Sequence, residues 1–227
     1  MVIYRRVLDT RTRRVSARRF VVDPALVGPS SPPLLNRPFR SMLGHLQRQK
    51  SHHYFDLIDH DEDGFIEEED FEIQAERLAD TRDLSDENRE VLRAQMLGWW
   101  NQLSATADVN DDGRVSRQEW DRFWEAIQAS VEEGTEEEQA QMLESLEQAA
   151  TVTFHTIDAT GNGEVTEEEY TEWLDAWGAD GSDEAFDRLD RNDDGHLTEE
   201  DLVEATKEFY LSNDADAPGN SLYGLMQ

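Results

Sequence analysis

Four stretches of twelve residues, starting at Asp59, Asp108, Asp158 and Asp190, place side-chain oxygens at a fixed rhythm around a glycine at the sixth position. That spacing suits a hard cation. Ca2+ takes about six to eight oxygens at roughly 2.3 to 2.6 Å, and a twelve-residue loop supplies them from positions 1, 3, 5, 7, 9 and 12 while glycine at 6 makes the sharp turn. The loop 108–119 meets the demand in full: Asp108, Asn110 and Asp112 give side-chain oxygens, Gly113 turns, Arg114 offers its carbonyl, Ser116 can hold a water, and Glu119 can bind through both oxygens. The loop 59–70 has Asp59, Asp61, Asp63, the Phe65 carbonyl and Glu67, but closes with Asp70. The loop 190–201 has Asp190, Asn192, Asp194, the His196 carbonyl and Thr198, and also closes with an aspartate, Asp201. One methylene shorter than glutamate, these closing aspartates favour six-fold coordination and bring Mg2+ into competition. The loop 158–169 keeps Asp158, Asn162, the Glu164 carbonyl, Thr166 and Glu169 but sets the hydroxyl of Thr160 at position 3. With Asp158 and Glu169 as its formal ligand charges, it is expected to be the weakest, so three or four Ca2+ ions are anticipated.

Such loops need helices to hold their ends. Apolar residues recur at helical spacing before each loop, as Phe55 with Ile58, Leu103 with Ala107, Phe154 with Ile157 and Phe186 with Leu189. Immediately after each loop's twelfth residue stand Phe71, Trp120, Tyr170 and Leu202, where a departing helix turns its first apolar side chain inward. The eighth residues, Ile66, Val115, Val165 and Leu197, are all apolar, as required for a short antiparallel contact joining two loops back to back. The loop starts lie 49, 50 and 32 residues apart, so the first pair is joined by a longer helical connection than the second. Within that connection Ser85 reads as an N-cap, followed by one helix of about twenty residues. The expected architecture is all-α, with hands one and two in residues 42–132 and hands three and four, with a C-terminal tail, in 133–227.

Composition narrows the chemistry. The chain of 227 residues has no cysteine, which excludes disulfides, thiolate metal sites and cysteine nucleophiles together. Its formal charge of −31 repels phosphate backbones and anionic membranes, so neither nucleic acid nor a membrane is an expected partner. Six Trp and nine Phe are enough aromatic area for a core and argue against a disordered acidic chain. No apolar run approaches the length of a membrane span or a secretory signal, and the expected location is the cytoplasm. Residues 1–41 stand apart, with nine arginines against Asp9 and Asp23 and a run rich in proline and glycine. Three readings stay open for them: a disordered arm or a gene start placed before a true start at Met42, an organelle transit peptide, or a basic arm docking on an acidic surface.

The loops, the closing Asp70, and a C-terminal run from Phe209-Tyr210 through Asp216-Ala217-Pro218-Gly219-Asn220 to Leu222-Tyr223-Gly224 resemble the calerythrin and sarcoplasmic calcium-binding protein family of EF-hand proteins, over residues 43–227. The resemblance implies a compact helical protein that buffers or transports Ca2+. The chain departs from that pattern in its complete second hand and in Thr160. A sensor is the alternative, but it needs a groove that opens on binding, usually rich in methionine. Only Met96 and Met142 fall within helices of the body. The expectation is therefore a monomeric buffer with no catalytic residues, a protein partner being conceivable but not indicated.

Overall fold

The computed structural model describes residues 43–226; the three readings of segment 1–41 fall outside them. Eight helices run in chain order: α1 (His45–Ile58), α2 (Glu68–Thr81), α3 (Asp86–Ala107), α4 (Arg117–Glu132), α5 (Glu136–Ile157), α6 (Glu167–Trp177), α7 (Ser182–Leu189) and α8 (Glu199–Leu211). Two-residue strands β1 (Phe65–Ile66), β2 (Val115–Ser116), β3 (Val165–Thr166) and β4 (His196–Leu197) lie in the four loops. β1 pairs with β2 and β3 with β4, both antiparallel, with Ile66 opposite Val115 and Val165 opposite Leu197. These eighth-position side chains are fully buried, so the pairing closes the base of each pair of hands. The all-α architecture read from the sequence is present. Among the described residues no helix is long and apolar enough to cross a membrane.

Local chemistry explains where the helices start. Ser85 caps α3 as its sequence predicts, its side chain accepting from the Asn88 N–H. The helices leaving the loops, α2, α4, α6 and α8, each begin with a capping box in which the residue at loop position 9 is the N-cap and the residue at position 12 is N3. Acidic residues fill their first turns, Glu68, Glu69 and Asp70 in α2 and Glu199, Glu200 and Asp201 in α8, where the helix dipole favours negative charge.

Phe55, Ile58, Ala107, Phe154, Ile157, Phe186 and Leu189 are buried before the loops, and Phe71, Trp120, Tyr170 and Leu202 after them. Leu103 is half-buried and packs against the same cluster. That cluster is continuous across both pairs of hands. Its centre is aromatic: Tyr54 of α1 stacks on Tyr223 with centroids 4.0 Å apart, and Phe209 of α8 lies 4.9 Å from Tyr223 and 5.5 Å from Trp124 of α4. The C-terminal run belongs to this core rather than trailing from it. A short 3-10 helix, Pro218–Ser221, leads to Leu222 and Tyr223, both buried, and the Tyr170 hydroxyl donates to the carbonyls of Ser221 and Leu222 at 3.0 Å each.

The first and last long helices are tied by an internal cation. Lys50 of α1 is wholly buried, and its ammonium donates to the Glu208 and Ser212 carbonyls at 3.0 and 2.8 Å; the Gln47 amide reaches the same Ser212 carbonyl at 2.6 Å. These carbonyls end α8, where a positive charge is favoured by the helix dipole. Burial nevertheless lowers the Lys50 pKa from 10.5 to about 8, opposed by the Glu208 carboxylate. Between these two values the unfolded chain holds a proton that the folded protein has released, so stability rises with pH across that window. Urea unfolding of Ca2+-saturated protein between pH 8 and 10 is expected to show that rise, and K50M to flatten it; an equal slope in K50M would refute the assignment.

Candidate metal centres

In each loop the first carboxylate organises the turn. Its Oδ2 accepts from the N–H of the position 6 glycine: Asp59 from Gly64 at 3.0 Å, Asp108 from Gly113 at 2.9 Å, Asp158 from Gly163 at 2.9 Å and Asp190 from Gly195 at 2.8 Å. Its Oδ1 accepts from the N–H at position 5, at 3.1 to 3.2 Å in all four. The position 5 side chains of Asp63, Asp112, Asn162 and Asp194 in turn accept from the N–H at position 7, at 2.8, 3.2, 2.8 and 3.0 Å. The sixth residue has φ near 85° in every loop, a left-handed conformation that glycine adopts without strain.

Position 12 closes the ring. Glu119 accepts from the Val109 N–H through one oxygen (3.2 Å) and from the Ser116 N–H through the other (3.0 Å). Glu169 does the same with Thr160 and Thr166, both at 3.0 Å. Asp70, although shorter, also spans both ends of its loop, accepting from His60 at 2.9 Å and Glu67 at 2.7 Å. Asp201 engages Thr198 through Oδ2, from its N–H at 2.8 Å and its hydroxyl at 2.6 Å, and is only half-buried. The closing residue is therefore both helix cap and candidate ligand, so sequence and helix start are locked in one register.

In the first, second and fourth loops the position 3 side chains, Asp61, Asn110 and Asn192, accept from the position 5 N–H at 3.1, 2.8 and 3.2 Å. In the third, the Thr160 hydroxyl instead donates to Asp158 Oδ1 at 3.3 Å. A hydroxyl on Cβ is too short to take the place of the missing amide oxygen and serves as a donor to its neighbour. At position 7, Phe65 and His196 open β1 and β4, while Arg114 and Glu164 stand one residue before β2 and β3; the Arg114 guanidinium sits over the Phe65 ring at 4.0 Å, joining the two loops of the first pair. Sequence reasoning passed over position 4, which is left-handed at Glu62 (φ 58°), Asp111 (φ 56°), Asp193 (φ 55°) and Gly161 (φ 67°). At Asp111, Asp193 and Gly161 the signal was present, since short polar residues and glycine tolerate that region best, whereas Glu62 carries none.

The electrostatics are those of crowded anions. Single oxygens of Asp59, Asp61 and Asp63 lie within 4.8 Å of one another, a distance at which unit charges repel by roughly 3 to 4 kcal/mol at an effective dielectric of 20. Burial raises the Asp59 carboxyl, with Asp63 and Asp61 adding to it against hydrogen bonds from Gly64 and Asp63. Burial also raises Asp70 to about 6, opposed by the N–H groups of Glu67 and His60 and reinforced by Asp59 and Asp61. A folded pKa above the unfolded value means that this contribution to stability is present in acid and lost as pH rises towards 6. The empty first hand thus carries an ionisation cost that a divalent cation would relieve. Oxygen-only donors, of high negative charge and mixed side-chain and backbone origin, fit Ca2+ rather than a soft metal.

Comparison with known proteins agrees with this chemistry. A family model described as EF hand matches residues 52–73, 105–124 and 183–204, which contain the first, second and fourth loops in full. Calerythrin of Saccharopolyspora erythraea is 27% identical over 161 residues, covering 69% of this chain and 88% of the relative. Sarcoplasmic calcium-binding proteins I, III and IV of Branchiostoma lanceolatum are 30% identical over 131 residues, covering 56% of this chain and 68% of theirs. Among solved structures, the coelenterazine-binding protein of Renilla muelleri in its Ca-loaded apo form superposes with a TM-score of 0.64 at 25% identity, covering 80% of this chain and 99% of that one. The loops, their paired strands and these relatives together identify a Ca2+-binding protein, and the chain belongs to the calerythrin and sarcoplasmic calcium-binding protein family of EF-hand proteins.

Proposed function

We propose that the protein is a monomeric intracellular Ca2+ buffer, in which the four loops hold ions without opening a partner-binding groove. The ligands in this reading are the position 1, 3, 5, 9 and 12 side chains and the position 7 carbonyls, with Thr160 leaving the third loop the poorest in donors. The observation that carries it is the continuous aromatic core. A sensor stores apolar surface that it uncovers on binding, whereas here the hands of one pair pack on those of the other. Met96 lies inside the core at 1% exposure, and the large hydrophobic side chain left most open among the described residues is Val109, at 47%. A coelenterazine-like guest, as the name of the Renilla protein suggests for that molecule, would have to displace this chain's own rings, stacked at 4.0 Å between Tyr54 and Tyr223.

Buffering adds charge, not shape: four Ca2+ would change the formal charge from −31 to −23. Calorimetric titration of metal-stripped protein, with and without millimolar Mg2+, is expected to show at least three Ca2+ sites. Mg2+ should weaken those closed by Asp70 and Asp201 most. In the same samples an environment-sensitive apolar dye should not brighten when Ca2+ is added over Mg2+. A large rise would overturn the buffer reading in favour of a sensor.

A further inference from the structure

The third loop has a cation built into its back wall. Arg82 is the C-cap residue of α2, in the first hand, yet its side chain, 10% exposed, crosses to the second pair of hands. There its guanidinium donates to the Thr156 carbonyl at 2.7 Å and to the Ile157 carbonyl at 2.9 Å. Those are the last two residues of α5, and the next is Asp158, the first ligand candidate of the third loop. Nε lies 3.4 Å from a carboxylate oxygen of Glu172, on α6, which leaves the same loop. Burial pulls the Arg82 pKa down, and it is opposed first by Glu172 and then by Glu169 and Asp158, the formal charges of that loop. The cations beside other loops are more open to water: Arg114, Arg117 and Arg191 are 43%, 44% and 30% exposed. A charge screened so little acts further and more strongly than a surface one.

We propose that Arg82 is an internal counter-charge for the third loop, stabilising its empty form and holding its Ca2+ affinity down from the neighbouring hand pair. The inference rests on the reading of 158–169 as a Ca2+ site. In the empty protein the guanidinium compensates Asp158 and Glu169, so the loop with the fewest ligand charges is held folded without metal. When Ca2+ enters, two cations share those carboxylates and repel each other. The coupling is reciprocal: whatever Arg82 contributes to the empty form beyond the loaded form reappears as weakened binding. Because Arg82 follows α2, which leaves the first loop, it also links the hand with the most carboxylates to the hand with the fewest.

The test is a set of full-length variants titrated with Ca2+ by calorimetry and melted both in EDTA and in Ca2+. Glu169→Gln in the natural background identifies the third-loop step by its loss. Arg82→Met and Arg82→Gln, the second retaining an amide donor for the α5 carbonyls, are each expected to tighten that step on the order of tenfold. Both should lower the melting temperature more in EDTA than in Ca2+. Arg82→Lys, which keeps the charge, should stay close to the natural affinity. Glu172→Gln, at a half-exposed position, should move the step the other way, because Arg82 then lacks its compensating anion. Weaker binding in Arg82→Met and Arg82→Gln, equal melting losses with and without metal, or an affinity that follows hydrogen bonding rather than charge would overturn the proposal. A third loop that binds nothing in the natural chain but fills in Arg82→Gln would support it. One that stays empty in every variant would refute it and the site reading together, whereas a natural step unmoved by Arg82 refutes the counter-charge alone.

Discussion

Excess EDTA is expected to lower the melting temperature of the Ca2+-saturated protein by roughly 15 to 30 °C. Formed sites exist in the folded state alone, so each filled site adds stability by mass action, about 2.7 kcal/mol when free Ca2+ is a hundredfold above its dissociation constant. Three such sites contribute about 8 kcal/mol, and for a domain of this size each kcal/mol is worth about 2 to 4 °C. The direction follows from the loop geometry. Without an ion, Asp59, Asp61 and Asp63 stay within 4.8 Å of one another, and Asp70 must ionise in a site that pushes its pKa to about 6. Unfolding releases that strain, so the empty protein sits closer to its melting point. Differential scanning calorimetry in matched buffers reads the effect directly, and coincident curves with and without EDTA would contradict Ca2+ binding at formed sites.

Phe209→Ala should cost about 3 to 5 kcal/mol, the usual range for removing a buried phenylalanine. The loss should be felt in both pairs of hands at once. Phe209 is fully buried on α8, but its ring meets Tyr54 of α1, Trp124 of α4 and Tyr223 of the C-terminal run, and the Lys50 ammonium lies 6.0 Å from its centroid. A cavity there removes contacts from the first, second and fourth hands together. Urea unfolding followed separately by tryptophan fluorescence and far-ultraviolet circular dichroism should therefore give one shifted transition by both probes. If the first pair of hands unfolded at its original midpoint while the second shifted, the continuous core would not be acting as a single cooperative unit.

What was legible in the sequence was everything with a short period. The ligand positions, the glycine at 6, the buried residue at 8 and the apolar residue after 12 repeat within a dozen residues. Each answers to a local constraint: ion geometry, a left-handed turn, a strand face or a helix phase. The N-cap at Ser85 and the long helix after it were equally local. Thr160 marked the third loop as the odd one from its residue type alone, and in the structure its hydroxyl donates to Asp158 while the corresponding side chains accept. The doubled role of position 12 was partly visible, because a capping box and a Ca2+ loop both ask for an acidic side chain three residues after a polar one.

Long-range complementarity was not legible. Lys50 reads as an ordinary surface lysine on a polar helix, and only the packing of α1 against the end of α8 makes it an internal cap on the Glu208 and Ser212 carbonyls. The C-terminal run, taken as a tail, supplies Leu222 and Tyr223 to the core. Arg82 lies 76 residues before Asp158, and nothing within either segment announces that they meet. By itself the sequence determined four twelve-residue acidic loops, the helices around them and the pairing of their strands, because these depend on neighbours a few residues apart. The tertiary structure alone decided that both pairs of hands share one aromatic core and that Arg82 of the first hand bonds the last carbonyls of the helix entering the third loop. Such contacts depend on which helix faces meet, and no local period encodes that.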